Sequence, residues 1–172
     1  MLFRSELDDY TVEKVYFESY PGFFVTGSLY KPKQIKGRVP AVLCPHGHWP
    51  NGRFYDNGEQ ATKRQITEGA ERFEDGGRSP LQSRCMQLAR MGCIVFHYDM
   101  IGYADSQQLS FNLAHRYGKP RSEMEGADNW GLFSPQAELR LQSIFGLQTY
   151  NSVRALDWLL TLPEVRSEEH TS

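Results

Sequence analysis

The stretch LCPHGHWP, residues 43–50, ends an apolar run with a proline and two histidines that flank a glycine. Residues 39–44 are apolar in succession rather than in alternation, broken only by Pro40, as in a strand with helices over both faces. Pro40 falls at the start of that strand, where a missing N–H is tolerated. A buried strand that leaves the sheet through Pro45-His46-Gly47-His48 therefore places these residues at the strand's carboxyl end, the edge at which α/β sheets bind ligands.

Upstream, residues 12–18 partly alternate, Tyr20-Pro21-Gly22 reads as a turn, and residues 23–30 read as a second strand, so the pair forms a hairpin. A polar loop over 31–38 then leads into the third strand. Downstream, Leu81, Cys85, Leu88 and Met91 recur at helical spacing after Ser79-Pro80, and Gly92 supplies a stop. A fourth strand follows over 93–98. A final periodic segment over 135–162 places Tyr150, Val153, Leu156 and Leu160 on one face, with Gly146 as a bend and Pro163 as the stop. The order predicts an α/β fold in which a hairpin leads into a mostly parallel sheet with flanking helices. Two polar insertions, residues 51–78 and 107–134, each follow a strand end, and loops of that length are usually functional or mobile.

At 172 residues, 40% hydrophobic and 13% aromatic, the chain has the size and content of one globular domain. A net charge of -2 without a basic stripe argues against nucleic acid as a partner. Cys44, Cys85 and Cys93 are odd in number, lie in apolar segments and lack CxxC spacing, so they read as reduced core residues. No segment reads as a signal peptide, and none approaches the roughly 18 apolar residues of a membrane span. The lack of a recognisable leader favours the cytoplasm, but compartment and oligomeric state both stay open, and neither a membrane partner nor a cofactor is expected.

The two strand ends, Pro45-His46-Gly47-His48 and the turn from Asp99 through Ile101-Gly102-Tyr103-Ala104 to Ser106, together resemble the α/β-hydrolase superfamily, in its acetyl xylan esterase and dienelactone hydrolase-like branch. The resemblance implies a carboxylic ester hydrolase in which His-Gly-X supplies an oxyanion donor, here the backbone N–H of His48. Gly47 would let the chain turn and approach the substrate, and His46 would shape the loop without acting as a base. The second turn departs from the family's Asp-x-Arg-Gly-x-Gly-x-Ser: Ile101 replaces the Arg, which removes a charge anchor, and Ala104 replaces a Gly, which predicts strain if the backbone there needs positive φ. Ser106 lacks the Gly-x-Ser-x-Gly elbow of a nucleophile, and no such elbow occurs in the chain. By resemblance, residues 1–165 are the N-terminal half of such a domain, incomplete and inactive alone, because nucleophile, acid and triad histidine would follow. Residues 166–172, RSEEHTS, resemble the in-frame translation of a sequencing adapter and read as a non-native tail, which removes His170 from consideration.

Two other classes fit parts of the pattern. His46, His48, His97 and Asp99 are ligand types suited to zinc at neighbouring strand ends, the pattern of a metal-dependent hydrolase. A non-catalytic binding module of the same fold is the third class. For an ester substrate, a small molecule or a carbohydrate, the aromatic residues Trp49, Phe54, Tyr55, Tyr103, Trp130 and Phe133 are candidate pocket walls, whereas Arg121, Glu125 and Asp128 read as a solvated face.

Overall fold

In the computed structural model, residues 3–115, 139–140 and 143–166 are described. Arg121, Glu125, Asp128, Trp130, Phe133, the expected helix start at Pro135, and His170 lie outside the described residues.

The hairpin forms as expected and is longer than read: β2 (Tyr10–Tyr20) and β3 (Phe23–Pro32) pair antiparallel around a turn in which Glu18 accepts the Gly22 N–H at 2.7 Å. A strand that the sequence did not signal, β1 (Phe3–Glu6), pairs antiparallel with β2. It is short, and Arg4, Ser5 and Glu6 offer no apolar alternation. The third and fourth expected strands are β4 (Ala41–Cys44) and β5 (Ile94–Tyr98), and the helix between them is α3 (Pro80–Arg90), with Pro80 in its first turn.

The strand order is β1-β2-β3-β5-β4. Only β4 and β5 run parallel, so among the described residues the sheet is mostly antiparallel, contrary to the mostly parallel sheet expected. The reason is topological: one helical crossover, through α3, yields one parallel pair, while the N-terminal meander contributes the antiparallel ones. Gly27 of β3 faces Tyr98, and a Cβ there would meet the Phe96 ring at 2.7 Å and the His97 carbonyl at 2.8 Å, so the bare Cα lets β3 close onto β5.

All five residues of β5 are buried because both faces of the strand are covered. On one face Ile94, Phe96 and Tyr98 pack with Val25, Leu29, Ala155 and Leu159, and Trp158 lies 4.8 Å from the Phe96 ring and 5.2 Å from Phe17. On the other, Val95 packs with Tyr10, Tyr30, Cys44, Cys85 and Ala89 of α3. The three cysteines are free thiols, two buried and Cys93 half-buried.

The first insertion is not an irregular loop. It forms a 3-10 turn (Gly52–Phe54), α1 (Glu59–Thr67) and α2 (Glu74–Arg78), and the Asn57 N–H donates to the Arg78 carbonyl at 2.9 Å. The second contains α4 (Phe111–His115).

The last helix, α5 (Ile144–Leu160), differs from its expectation in two respects. Ser143 caps it, accepting the Gly146 N–H at 3.0 Å, so Gly146 lies in the first turn and marks no bend. Its buried face is Asn151, Ala155 and Leu159, whereas Tyr150, Val153, Leu156 and Leu160 are 44, 51, 45 and 45% exposed. The sheet has selected the stripe with the smallest side chain, Ala155, and with an asparagine that Ser19 satisfies through a hydrogen bond of 2.6 Å to its carbonyl oxygen. A search for apolar period alone passes over such a stripe.

β4 ends the sheet order, and beside its start Val39 makes a single parallel bridge with Val165, its N–H donating to the Glu164 carbonyl and its carbonyl accepting from Arg166, both at 2.8 Å. No described helix is long and apolar enough to cross a membrane.

Candidate functional site

The parallel pair β4/β5 brings two carboxyl ends to one edge, with Cys44 opposite His97. From β4 the chain turns through residues 45–48, and from β5 it turns through residues 99–106.

His46 is buried, and it staples these turns together. Its Nε2 accepts the Met100 N–H at 3.1 Å, so the ring proton sits on Nδ1, 2.8 Å from the Gly47 carbonyl that accepts it. Burial holds its pKa below the usual imidazole value. A neutral ring with both nitrogens engaged is neither a free base nor a free ligand.

Gly47 does not have positive φ, and a Cβ on it would meet only Trp49, Nε1 at 3.4 Å and Cδ1 at 3.7 Å. The turn itself therefore does not require glycine, which corrects the reading that Gly47 is needed for a sharp exit; space outside the chain is the remaining physical reason. The Trp49 N–H returns to the Gly47 carbonyl at 2.8 Å, and the Gly52 N–H to the Trp49 carbonyl at 2.9 Å, so residues 47–52 are a succession of tight turns.

His48 is exposed, and among the described residues its backbone N–H has no acceptor. Its ring is held at Nδ1 by the Tyr103 hydroxyl at 3.0 Å, with the His115 ring 5.0 Å away. His115 is oriented in turn by a 2.6 Å bond from Nε2 to the Ile101 carbonyl and by Phe111, stacked at 5.2 Å. Tyr103 and His115 thus wall the same side of the site. Tyr103 stood among the aromatic candidates, but His115 carried no sequence signal.

The charge anchor missing at Ile101 enters from another segment. Arg53, in the 3-10 turn, is 1% exposed; its guanidinium pairs with Asp99 through Nη1, with Asp105 through Nη2 at 2.6 Å, and with the Ser28 hydroxyl through Nε at 3.1 Å. Asp99 also accepts from Thr26 at 2.6 Å and from the Asp105 N–H at 3.2 Å. Burial leaves the Asp99 carboxyl above its usual pKa despite Arg53. For the half-exposed Asp105 burial also raises the pKa, but Arg53 and Lys14 outweigh it and the net shift is downward. A buried Asp without its customary Arg needs a cation from elsewhere, and that was the available signal for Arg53.

Ala104 has φ +46°, the strained conformation expected of it. Ser106 is buried, its N–H donating to the Tyr103 carbonyl and its carbonyl accepting from Gly102, which makes it a loop residue. His46, His48, His97 and Asp99 do not form a metal centre: among the described residues no group of three or more His, Cys, Asp or Glu side chains is placed to hold an ion. His46 is spent on Met100, Asp99 on Arg53, and His97 is fully buried in the core.

No protein-family model matches the chain, and no curated protein matches it either. Among solved structures it is similar to a methylesterase, with TM-score 0.57 and 23% identity over 95% of this chain, and to a protein assigned as an acetyl xylan esterase from Bacteroides fragilis, with TM-score 0.59 and 17% identity over 96%. The chain spans 26% and 38% of the lengths of those two proteins. Likeness at this identity shows a shared α/β fold.

Proposed function

We propose that the chain is the N-terminal part of a carboxylic ester hydrolase of the α/β-hydrolase type, and that the His48 N–H is one of the two donors of its oxyanion hole. The observation that carries this reading is the amide of an exposed residue, with no acceptor among the described residues, at the carboxyl end of a strand in the parallel pair, on a turn braced from both sides. Attack on an ester carbonyl develops negative charge on its oxygen, and each preorganised donor lowers that barrier by about 2.7–4 kcal/mol. Residues 1–165 would then contribute the oxyanion side of the site. The serine nucleophile, histidine base and acidic partner would come from chain beyond Val165, with residues 166–172 a non-native tail. The small share of each structural neighbour that the chain spans and the incomplete pairing of β4 support that division. Substrates would be acetyl or methyl esters of small molecules or carbohydrates, the chemistry named for the two neighbours.

Gly47→Val tests the assignment in the longer protein. Because Gly47 has an ordinary φ and room for a Cβ, the variant should fold with its melting temperature nearly unchanged. Turnover of p-nitrophenyl acetate should fall by roughly 10²-fold as the branched side chain blocks access to the His48 amide. Unchanged turnover would remove the oxyanion role from this turn. A gene with no Gly-x-Ser-x-Gly downstream of Val165 would remove the serine-hydrolase reading altogether.

A further inference from the structure

We infer that Arg53 is a positioning residue for the His46–His48 turn: its buried guanidinium fixes the far end of the turn succession whose near end carries the proposed donor amide, an inference that rests on the reading of that amide given above. Three elements converge on this one side chain, β3 through Ser28, the end of β5 through Asp99, and the following turn through Asp105. The Phe54 ring lies 4.2 Å from its Cζ and closes the remaining face.

The link to the site is direct. Gly52, the residue before Arg53, has φ +56°, and a Cβ on it would lie 2.9 Å from Cε1 and Nε2 of His46 and 2.9 Å from Cβ of Tyr103. Its backbone is therefore pressed against the imidazole that accepts Met100 and against the tyrosine that holds His48. Gly52 in turn bonds to Trp49, and Trp49 to Gly47. Moving Arg53 moves Gly52, and Gly52 cannot move without the His46 ring, so the ion pair at Asp99 sets where the Gly47–His48 peptide points. Arginine suits this task because its fork bonds several acceptors in fixed directions, whereas a lysine ammonium is one point charge on a flexible stem.

The test uses the 172-residue chain, labelled with 15N and carrying Val153→Lys and Leu156→Lys on the exposed stripe of α5 to suppress self-association, as Arg53→Met, Arg53→Lys and the double variant Arg53→Met with Asp99→Asn. The double variant leaves no unpaired charge at Asp99 and keeps the test alive if the single methionine variant fails to fold. Long-range 1H–15N correlations read the His46 tautomer and its titration, and amide exchange reads Trp49 and Gly52. The expected result is a His46 ring that loses its single Nδ1–H tautomer and titrates nearer a free imidazole in the double variant, with exchange at Trp49 and Gly52 accelerated at least about tenfold. Lysine should restore these signals only in part. A double variant with a lower melting temperature but unchanged His46 signals and exchange rates would make Arg53 a stability element and overturn the inference. That failure is separate from the failure of the hydrolase reading, which Gly47→Val reports in the longer protein.

Discussion

At the scale of single residues, the polar groups in this sheet are set by what surrounds them. His97 lies in the middle of the buried face toward α3, 0% exposed, and among the described residues neither ring nitrogen has a hydrogen-bond partner. Burial, reinforced by the neighbouring His46 ring and by the guanidinium groups of Arg84 and Arg53, lowers its pKa from 6.5 to about 3. The unfolded chain takes up a proton as pH falls below 6.5, while the folded chain resists it until about 3. Titration of this ring therefore leaves stability unchanged above 6.5, and stability declines as pH falls through that window, by on the order of 4–5 kcal/mol in total. His97→Leu, close in volume, should stabilise the protein by about 1–3 kcal/mol at pH 7.5, since it removes two unsatisfied polar atoms from the core. It should also flatten the loss of stability between pH 6.5 and 4. Urea unfolding across that range checks both; a variant less stable at pH 7.5 would show that the imidazole makes an interaction worth keeping. His97 also explains why a ligand reading based on residue type misled: the sequence shows a histidine two residues before an aspartate, but not that one is sealed in the core and the other held by Arg53.

At the scale of elements, strands and helices were legible where one local signal dominated. The Tyr20-Pro21-Gly22 turn, the unbroken apolar run of β4 and the Pro80-to-Gly92 bracket of α3 all survive in the structure. What local signals could not supply was orientation. The apolar stripe of α5 pointed to Tyr150, Val153, Leu156 and Leu160, but the sheet takes Asn151, Ala155 and Leu159, because a flat β surface rewards close approach at Ala155 more than bulk. The two faces differ measurably. Leu159→Ala, at 1% exposure, should cost about 2–5 kcal/mol through lost burial and an unfilled cavity. Leu156→Ala, at 45%, should cost less than about 1 kcal/mol. Equal losses in thermal or urea unfolding would mean that α5 sits rotated about its axis from the position described. Arg53 and His115 were hidden for the same reason: they sit in segments without period, and only the fold brings them to the strand ends.

At the scale of the whole molecule, two apolar surfaces remain without a cover among the described residues. One is the outer side of β4, whose neighbour is limited to the single bridge from Val39 to Val165. The other is the outward stripe of α5, with Phe145 at 80% exposure in line with Val153, Leu156 and Leu160. An open strand edge offers unpaired N–H and C=O groups to any second strand, and a contiguous apolar patch adds the burial that makes such pairing persist. The 172-residue chain by itself should therefore self-associate at concentrations of about 10–100 μM, with a broad thermal transition in place of a sharp one. Sedimentation velocity separates the contributions of the two surfaces. Val153→Lys with Leu156→Lys charges the helix stripe without touching the core, since Ala155 and Leu159 carry the packing against the sheet. If the stripe drives association, the double variant should sediment as a monomer. If β4 dominates, the variant should remain associated, and only a chain extended beyond Val165 should sediment as a monomer. A monomeric parent chain with a sharp, cooperative transition would show that neither surface needs a partner.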